Sequence, residues 1–127
     1  MKASRVFLGV FLLLGVVALA QQGTSALRPE EVGKDQVGKK VAVEGRIYSD
    51  AKTNVGIHLY FSADTSTAFQ AIVPANAIYK FKVDIVKKYD KRNVRVTGKV
   101  EEESGRFYIR IEDPSQIKVV AHKLETS

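Results

Sequence analysis

Two stretches place the tightest limit on what this chain can fold into. In residues 39–48, Val41, Val43 and Ile47 occupy one side of a two-residue repeat, with Gly45 in line between them and Lys40, Glu44, Arg46 and Tyr48 on the other side. In residues 94–100, Val94, Val96 and Val100 alternate with Arg95, Thr97 and Lys99, and a glycine, Gly98, again stands in the apolar row. A period of two sends successive side chains to opposite faces of an extended strand, so each stretch has one apolar face that must be covered. Glycine inside such a row marks a bend, a bulge or a close approach of backbone. The pattern calls for a sheet that curls and buries one side.

The rest of the chain supplies three more alternating segments and one helical one. Ile57, Leu59 and Phe61 face inward with His58 and Tyr60 outward; residues 68–73 form a third strand that Pro74 stops; Phe107, Ile109 and Ile111 alternate with Arg106, Tyr108, Arg110 and Glu112. Residues 49–54 read as a polar loop and 101–105 as a hairpin turn, while 116–120 add a short extended piece after the Asp113-Pro114-Ser115 break. In 76–89 the spacing changes: Ile78, Phe81, Ile85 and Tyr89 share a helical face, Asn76 is the expected N-cap, and Asp84 precedes Lys88 by one turn. Before the first strand, PEEVGKDQV (29–37) predicts one or two helical turns ending near Gly38. Three strands, a helix and two strands, with a glycine bend in the first and fourth, describe a partly open five-stranded OB-fold barrel over residues 29–120. An SH3-like barrel is the alternative, and it lacks a helix in that place.

The N-terminus reads as an address. After Lys2 and Arg5, residues 6–20 (VFLGVFLLLGVVALA) carry no polar side chain. Fifteen apolar residues suit the core of a secretory signal better than a membrane span, and Ala18-Leu19-Ala20 supplies the small-x-small pattern for cleavage before Gln21. An uncleaved anchor is the competing reading; the absence of Cys excludes a lipid-anchored lipoprotein. The expectation is a cleaved signal at 1–20, a flexible lead-in at 21–28 and a polar tail at 121–127, with a periplasmic or secreted, monomeric product that has no integral membrane segment. Losing Lys2 and Arg5 from a total of +6 leaves the remainder at +4.

Four segments carry a family resemblance: VGKKVAVEGRI (37–47), FQAIVP (69–74), YDKRNVRVTGKV (89–100) and FYIRIEDPSQIKVV (107–120). Together they resemble the small bacterial OB-fold domains labelled nucleic-acid-binding, which occur alone behind signal peptides and also appended to nucleases, helicases and tRNA synthetases. The resemblance runs from about Pro29 to Val120 and rests on fold-forming features. It implies an exported OB domain with a nucleic-acid ligand, and it brings no catalytic segment.

Composition removes most chemistry. With no Cys, no Trp and two His, there is no disulfide scaffold, zinc finger, thiol enzyme or haem attachment. GKDQVGK (33–39) fits the first seven positions of a phosphate-binding P-loop, but Lys40 stands where Ser or Thr must hold magnesium, and a strand follows where a helix must begin. His58 and His122 lie in different elements without a third ligand, so no metal and no cofactor is expected. No nucleophile has a partnering base, so the chain is not expected to be an enzyme.

What remains is the outward face. Parity sets Arg46, Tyr48, His58, Tyr60, Arg95, Lys99, Tyr108 and Arg110 toward solvent, and Lys52 in the first loop. Aromatics interleaved with basic groups suit single-stranded nucleic acid, the bases stacking and the cations following the phosphates. Against this, Glu101, Glu102 and Glu103 fall in the loop beside the groove, where they would repel phosphate, and Tyr, Lys and Arg also occupy ordinary solvated strands. Weak, sequence-tolerant single-strand binding is the leading reading. An envelope protein or polysaccharide partner is the second and a structural accessory domain the third.

Overall fold

A computed structural model describes residues 25–66 and 68–121, so the expected signal and nearly all of the expected tail lie outside the described residues. Seven strands form: β1 (Lys40–Arg46), β2 (Ser49–Lys52), β3 (Gly56–Tyr60), β4 (Gln70–Pro74), β5 (Asn93–Glu103), β6 (Arg106–Arg110) and β7 (Ile117–Val119). They hydrogen-bond in the order β1-β5-β6-β4-β3-β2, with β7 added on β5. The β4–β6 pair is parallel and the other strand ladders are antiparallel.

The alternating rows fall as their period requires. Val43, Ile47, Leu59, Ala71, Val73, Val94, Val96, Val100, Ile109 and Ile111 are completely shielded from solvent. Phe61 and Phe69 meet at 5.2 Å between ring centres and close the core beneath the β3–β4 connection. Among the described residues no helix is long and apolar enough to cross a membrane.

Where five strands were expected there are seven, and the sheet is open at its seam. The hydrogen-bonded path has two ends, β1 and β2, and no ladder joins them. They are consecutive in sequence, and the chain itself spans the gap through Ile47 and Tyr48. The Ile47 N–H donates to the Arg92 carbonyl at 2.9 Å, whereas the Tyr48 N–H donates to the Tyr60 carbonyl at 2.8 Å. In one residue step the backbone leaves the β5 side and joins the β3 side. The buried Ile47 side chain anchors that bend.

Residues 49–52 are therefore strand rather than loop, pairing Ser49 with Tyr60 and Ala51 with His58. Ser, Asp, Ala and Lys have little intrinsic preference for this state. The ladder edge of β3 imposes it. The expected continuous helix is also broken. A 3-10 segment, Ala75–Lys80, is followed by an extended Phe81 and then the short α1 (Ile85–Tyr89). Asp84 rather than Asn76 is the cap, its carboxylate accepting from the Lys87 N–H at 3.1 Å. An Asp in mid-helix competes for backbone donors and favours the cap position instead. The apolar face survives the break: Phe81, Ile85 and Tyr89 are buried and Ile78 packs against them.

Two further 3-10 turns, Pro29–Glu31 and Lys34–Gln36, occupy the segment predicted to be helical before β1. Ahead of them Leu27 bridges β1: its N–H donates to the Ala42 carbonyl at 2.8 Å, and its carbonyl accepts from the Glu44 N–H at 2.9 Å.

The in-line glycines are required by close approach. A Cβ on Gly45 would lie 2.5 Å from Pro29 Cγ, and one on Gly98 would lie 2.7 Å from Ile109 Cγ2 and 3.0 Å from Gln116 Nε2. That space lets Gln116 Nε2 donate to the Thr97 and Arg110 carbonyls, each at 3.0 Å, tying β5 to the end of β6. Gly98→Ala is expected to destabilise the fold by about 1–3 kcal/mol, as overpacking of a filled site does; urea unfolding measures it, and an unchanged midpoint would show that the Gln116 clasp is dispensable.

Candidate functional site

Register places the outward residues of five strands in two cross-strand rows. Ser49, Tyr60, Gln70, Tyr108 and Glu101 stand side by side across β2, β3, β4, β6 and β5. In the next row are Ala51, His58, Ile72 and Arg110. Four of the nine sequence-predicted site residues, His58, Tyr60, Tyr108 and Arg110, thus meet on one face.

The aromatic half of this face is held rigidly. The His58 and Tyr60 rings lie 6.1 Å apart and within 12° of parallel. His58 Nδ1 is 2.8 Å from Gln70 Oε1 and Nε2 is 2.9 Å from Thr53 Oγ1. Both ring nitrogens of His58 are thereby engaged, one by Gln70 and the other by Thr53. Gln70 is buried beneath its neighbours and exposes only 6% of its surface.

The charged half is largely neutralised. The Tyr108 hydroxyl donates to Glu101 Oε1 at 3.2 Å, and Arg110 Nη2 reaches the same oxygen at 3.2 Å. Burial, followed by the Glu101 charge, pushes the Tyr108 hydroxyl above its ordinary pKa. The hydrogen bond to Glu101 holds the Arg110 guanidinium even more firmly protonated than usual. Glu101 and Glu102 are not loop residues, since β5 continues through Glu103 and the turn is Ser104-Gly105, both with positive φ. Glu102 accepts from Lys34 Nζ at 3.1 Å. Two of the three carboxylates expected to repel phosphate therefore already hold cations. A hollow of about 120 Å³ lies between the two connecting turns, lined by Val55, Ile72, Pro74, Glu103, Tyr108 and Arg110.

The other five predicted residues stand elsewhere. Arg95 and Lys99 lie where β5 pairs with β1, Arg95 with its Nε 2.7 Å from Glu44 Oε2 and Lys99 directly opposite Lys40. Arg46 is exposed at the end of β1, opposite Asn93. Tyr48 sits at the seam, in a groove of about 640 Å³ with Phe61, Phe69 and Phe107, away from the His58 rows. Lys52 ends β2 opposite the inward Ile57, which removes it from the His58 row. Their common assignment to one face treated the outside of the sheet as flat, whereas it curves. Thr53, Gln70 and Glu101 are the supporting residues that parity alone missed. Gln70 did carry a signal, as the lone polar residue of an otherwise apolar strand.

Among the described residues no three His, Cys, Asp or Glu side chains gather as a metal site.

No family model matches the chain. It is 31% identical over 86 residues to the small ribosomal subunit protein eS4 of Sulfurisphaera tokodaii, a match covering 67% of this chain and 35% of that protein. The chain thus spans about a third of that relative. Among solved structures it is similar to the asparaginyl-tRNA synthetase of Pyrococcus horikoshii, at 22% identity and a TM-score of 0.55, over 76% of this chain and 23% of that one. It is also similar to an OBody bound to hen egg-white lysozyme, at 16% identity and a TM-score of 0.56, over 78% and 94% of the two chains. These likenesses and the strand order establish an OB-type fold with an unclosed sheet.

Glu101→Gln removes the negative charge that favours the neutral phenol, so the Tyr108 hydroxyl is expected to titrate at lower pH in the variant, as read by tyrosinate absorbance. Because the folded chain resists this ionisation more than the unfolded one, whose tyrosines titrate near about 10, folding stability falls as pH rises from there through the folded value. An unchanged titration in the variant would contradict the Glu101–Tyr108 contact.

Proposed function

We propose that this chain is a nucleic-acid-binding OB domain that takes single strands weakly and with little sequence preference on the outer face of β3, β4 and β6. The observation that carries the reading is the aromatic platform: near-parallel His58 and Tyr60, fixed by Thr53 and Gln70, in rows shared with Tyr108. Every base has a π-face, so such a platform stacks bases without choosing among them. OB domains bind oligonucleotides across the corresponding strands and flanking loops. Here those loops are the turn at Thr53–Val55 and the Ser104-Gly105 hairpin, with the small hollow between them. The ribosomal and synthetase likenesses support this ligand class. The proposed module is a monomer that binds and does not catalyse, and the apolar run at 6–20 supports its export to periplasm or medium.

A protein or polysaccharide partner in the envelope is the second reading. It is favoured by the charge balance of the face, where Arg110 is shared between Glu101 at 3.2 Å and Glu112 at 3.9 Å.

Fluorescence anisotropy with labelled oligothymidylate separates the two. Binding at low salt that weakens with added salt is expected, with Tyr60→Ala and Tyr108→Ala each losing about 1–3 kcal/mol. No binding at low salt, or alanine variants that bind as the parent does, would overturn the nucleic-acid reading.

A further inference from the structure

A second part of the sheet carries more positive charge than the stacking face and does different chemistry. Where β5 pairs with β1 and β7, the outward residues form three rows: Lys40 opposite Lys99, Ala42 opposite Thr97, and Glu44 opposite Arg95 with Lys118 on its far side. The middle row is small and makes the floor of a trough of about 570 Å³. Lys39, Lys40 and Arg95 line it, and Ser25, Ala26 and Leu27 form its wall along the β1 edge. Lys39, Lys40, Lys99 and Lys118 are all exposed. Of the five basic groups in these rows and at their edge, Arg95 is ion-paired with Glu44.

The arrangement works against the free protein. Like charges directly opposite on neighbouring strands are destabilising, and this face has two such pairs, Lys40–Lys99 and Arg95–Lys118. An anion laid along the trough removes both repulsions at once. The shape selects a chain over a flat surface, because the floor is recessed between the lysine rows. Among the described residues, of the large exposed hydrophobic ones only Val37 lies near Lys39 in sequence.

We propose that this trough is a distinct phosphodiester-backbone site, in which Lys39, Lys40, Lys99 and Arg95 hold successive phosphates of a nucleic acid strand without contact to its bases. It rests on the proposed function only for the class of ligand. The two faces meet along β5, which pairs with β1 through Lys99 and with β6 from Val100 onward. A strand stacked on Tyr60 and Tyr108 can therefore carry its backbone across β5 into the trough. Charge contact and base contact are divided between the two faces.

An abasic oligodeoxynucleotide, which has phosphates but no bases, reads the trough alone. The parent protein is expected to bind a twelve-unit abasic strand at low salt. The triple variant Lys39→Gln, Lys40→Gln, Lys99→Gln is expected to bind it at least tenfold more weakly, with a log–log salt slope shallower by about two, since each phosphate neutralised on a single strand contributes about 0.7. Tyr60→Ala and Tyr108→Ala leave abasic binding unchanged. Abasic binding equal in parent and triple variant, or absent in the parent, overturns the proposal. Loss of binding to phosphatidylserine vesicles with oligonucleotide binding intact also overturns it, in favour of a lipid surface. If the triple variant loses the abasic strand while the tyrosine variants keep full affinity for oligothymidylate, the trough stands and the stacking reading fails. Lys99→Gln alone is expected to raise the melting temperature of the ligand-free protein at low salt and not at high salt. A lower melting temperature would show that the lysine pair supports the fold instead, and would overturn the proposal.

Discussion

Strand β5 is the constraint on which the rest depends. Its eleven residues hydrogen-bond to β1 through Lys99, to β7 over Val94–Val96 and to β6 from Val100 onward. One strand can serve three partners only if its inner row is narrow and its path bends. Val94, Val96 and Val100 supply the narrow row, and Gly98 opens the space for Ile109 and Gln116. Because β5 is common to both halves of the sheet, its outer row is common to both candidate surfaces. Arg95 and Thr97 line the trough, Lys99 stands opposite Lys40 at its edge, and Glu101 is bonded by Tyr108 and Arg110.

The same curvature explains the division of labour on the outside. The aromatic rows are braced by neutral contacts, with Gln70 and Thr53 holding His58, and their cation is shared with carboxylates. The trough region has like charges opposite one another, Lys40 with Lys99 and Arg95 with Lys118, with Glu44 pairing Arg95. Hydrogen-bonded order favours stacking, while unbalanced charge favours a polyanion.

Much of this was legible in the alternating pattern. The inner rows of β1, β3, β5 and β6 follow a period of two, and burial rewards that period strongly enough to fix register. The cluster of His58, Tyr60, Tyr108 and Arg110 followed from the same parity. What was not legible depended on partners distant in sequence. Ser49–Lys52 becomes strand because β3 offers an edge, and nothing in SDAK says so. Residues 76–89 keep their apolar face but lose their continuity to the Asp84 cap, a local competition that periodicity does not weigh. The separation of Arg95 and Lys99 from Tyr108 comes from the bend at Ile47 and the curvature of the sheet, which no single strand's alternation records. The sequence presents Glu101 and Glu102 only as charges near a turn, whereas their pairing with Lys34, Tyr108 and Arg110 is a tertiary matter.

The central claim is that nucleic acid meets this fold on the outer rows of β3, β4 and β6 and on the adjoining face of β5. A backbone amide NMR titration with an eight-nucleotide oligothymidylate tests it most directly. The expected result is saturable shifts at His58, Tyr60, Gln70, Tyr108 and Arg110, continuing across Lys99 to Lys40. Shifts confined to the Tyr48, Phe61 and Phe107 groove, or no shifts at low salt, would contradict it.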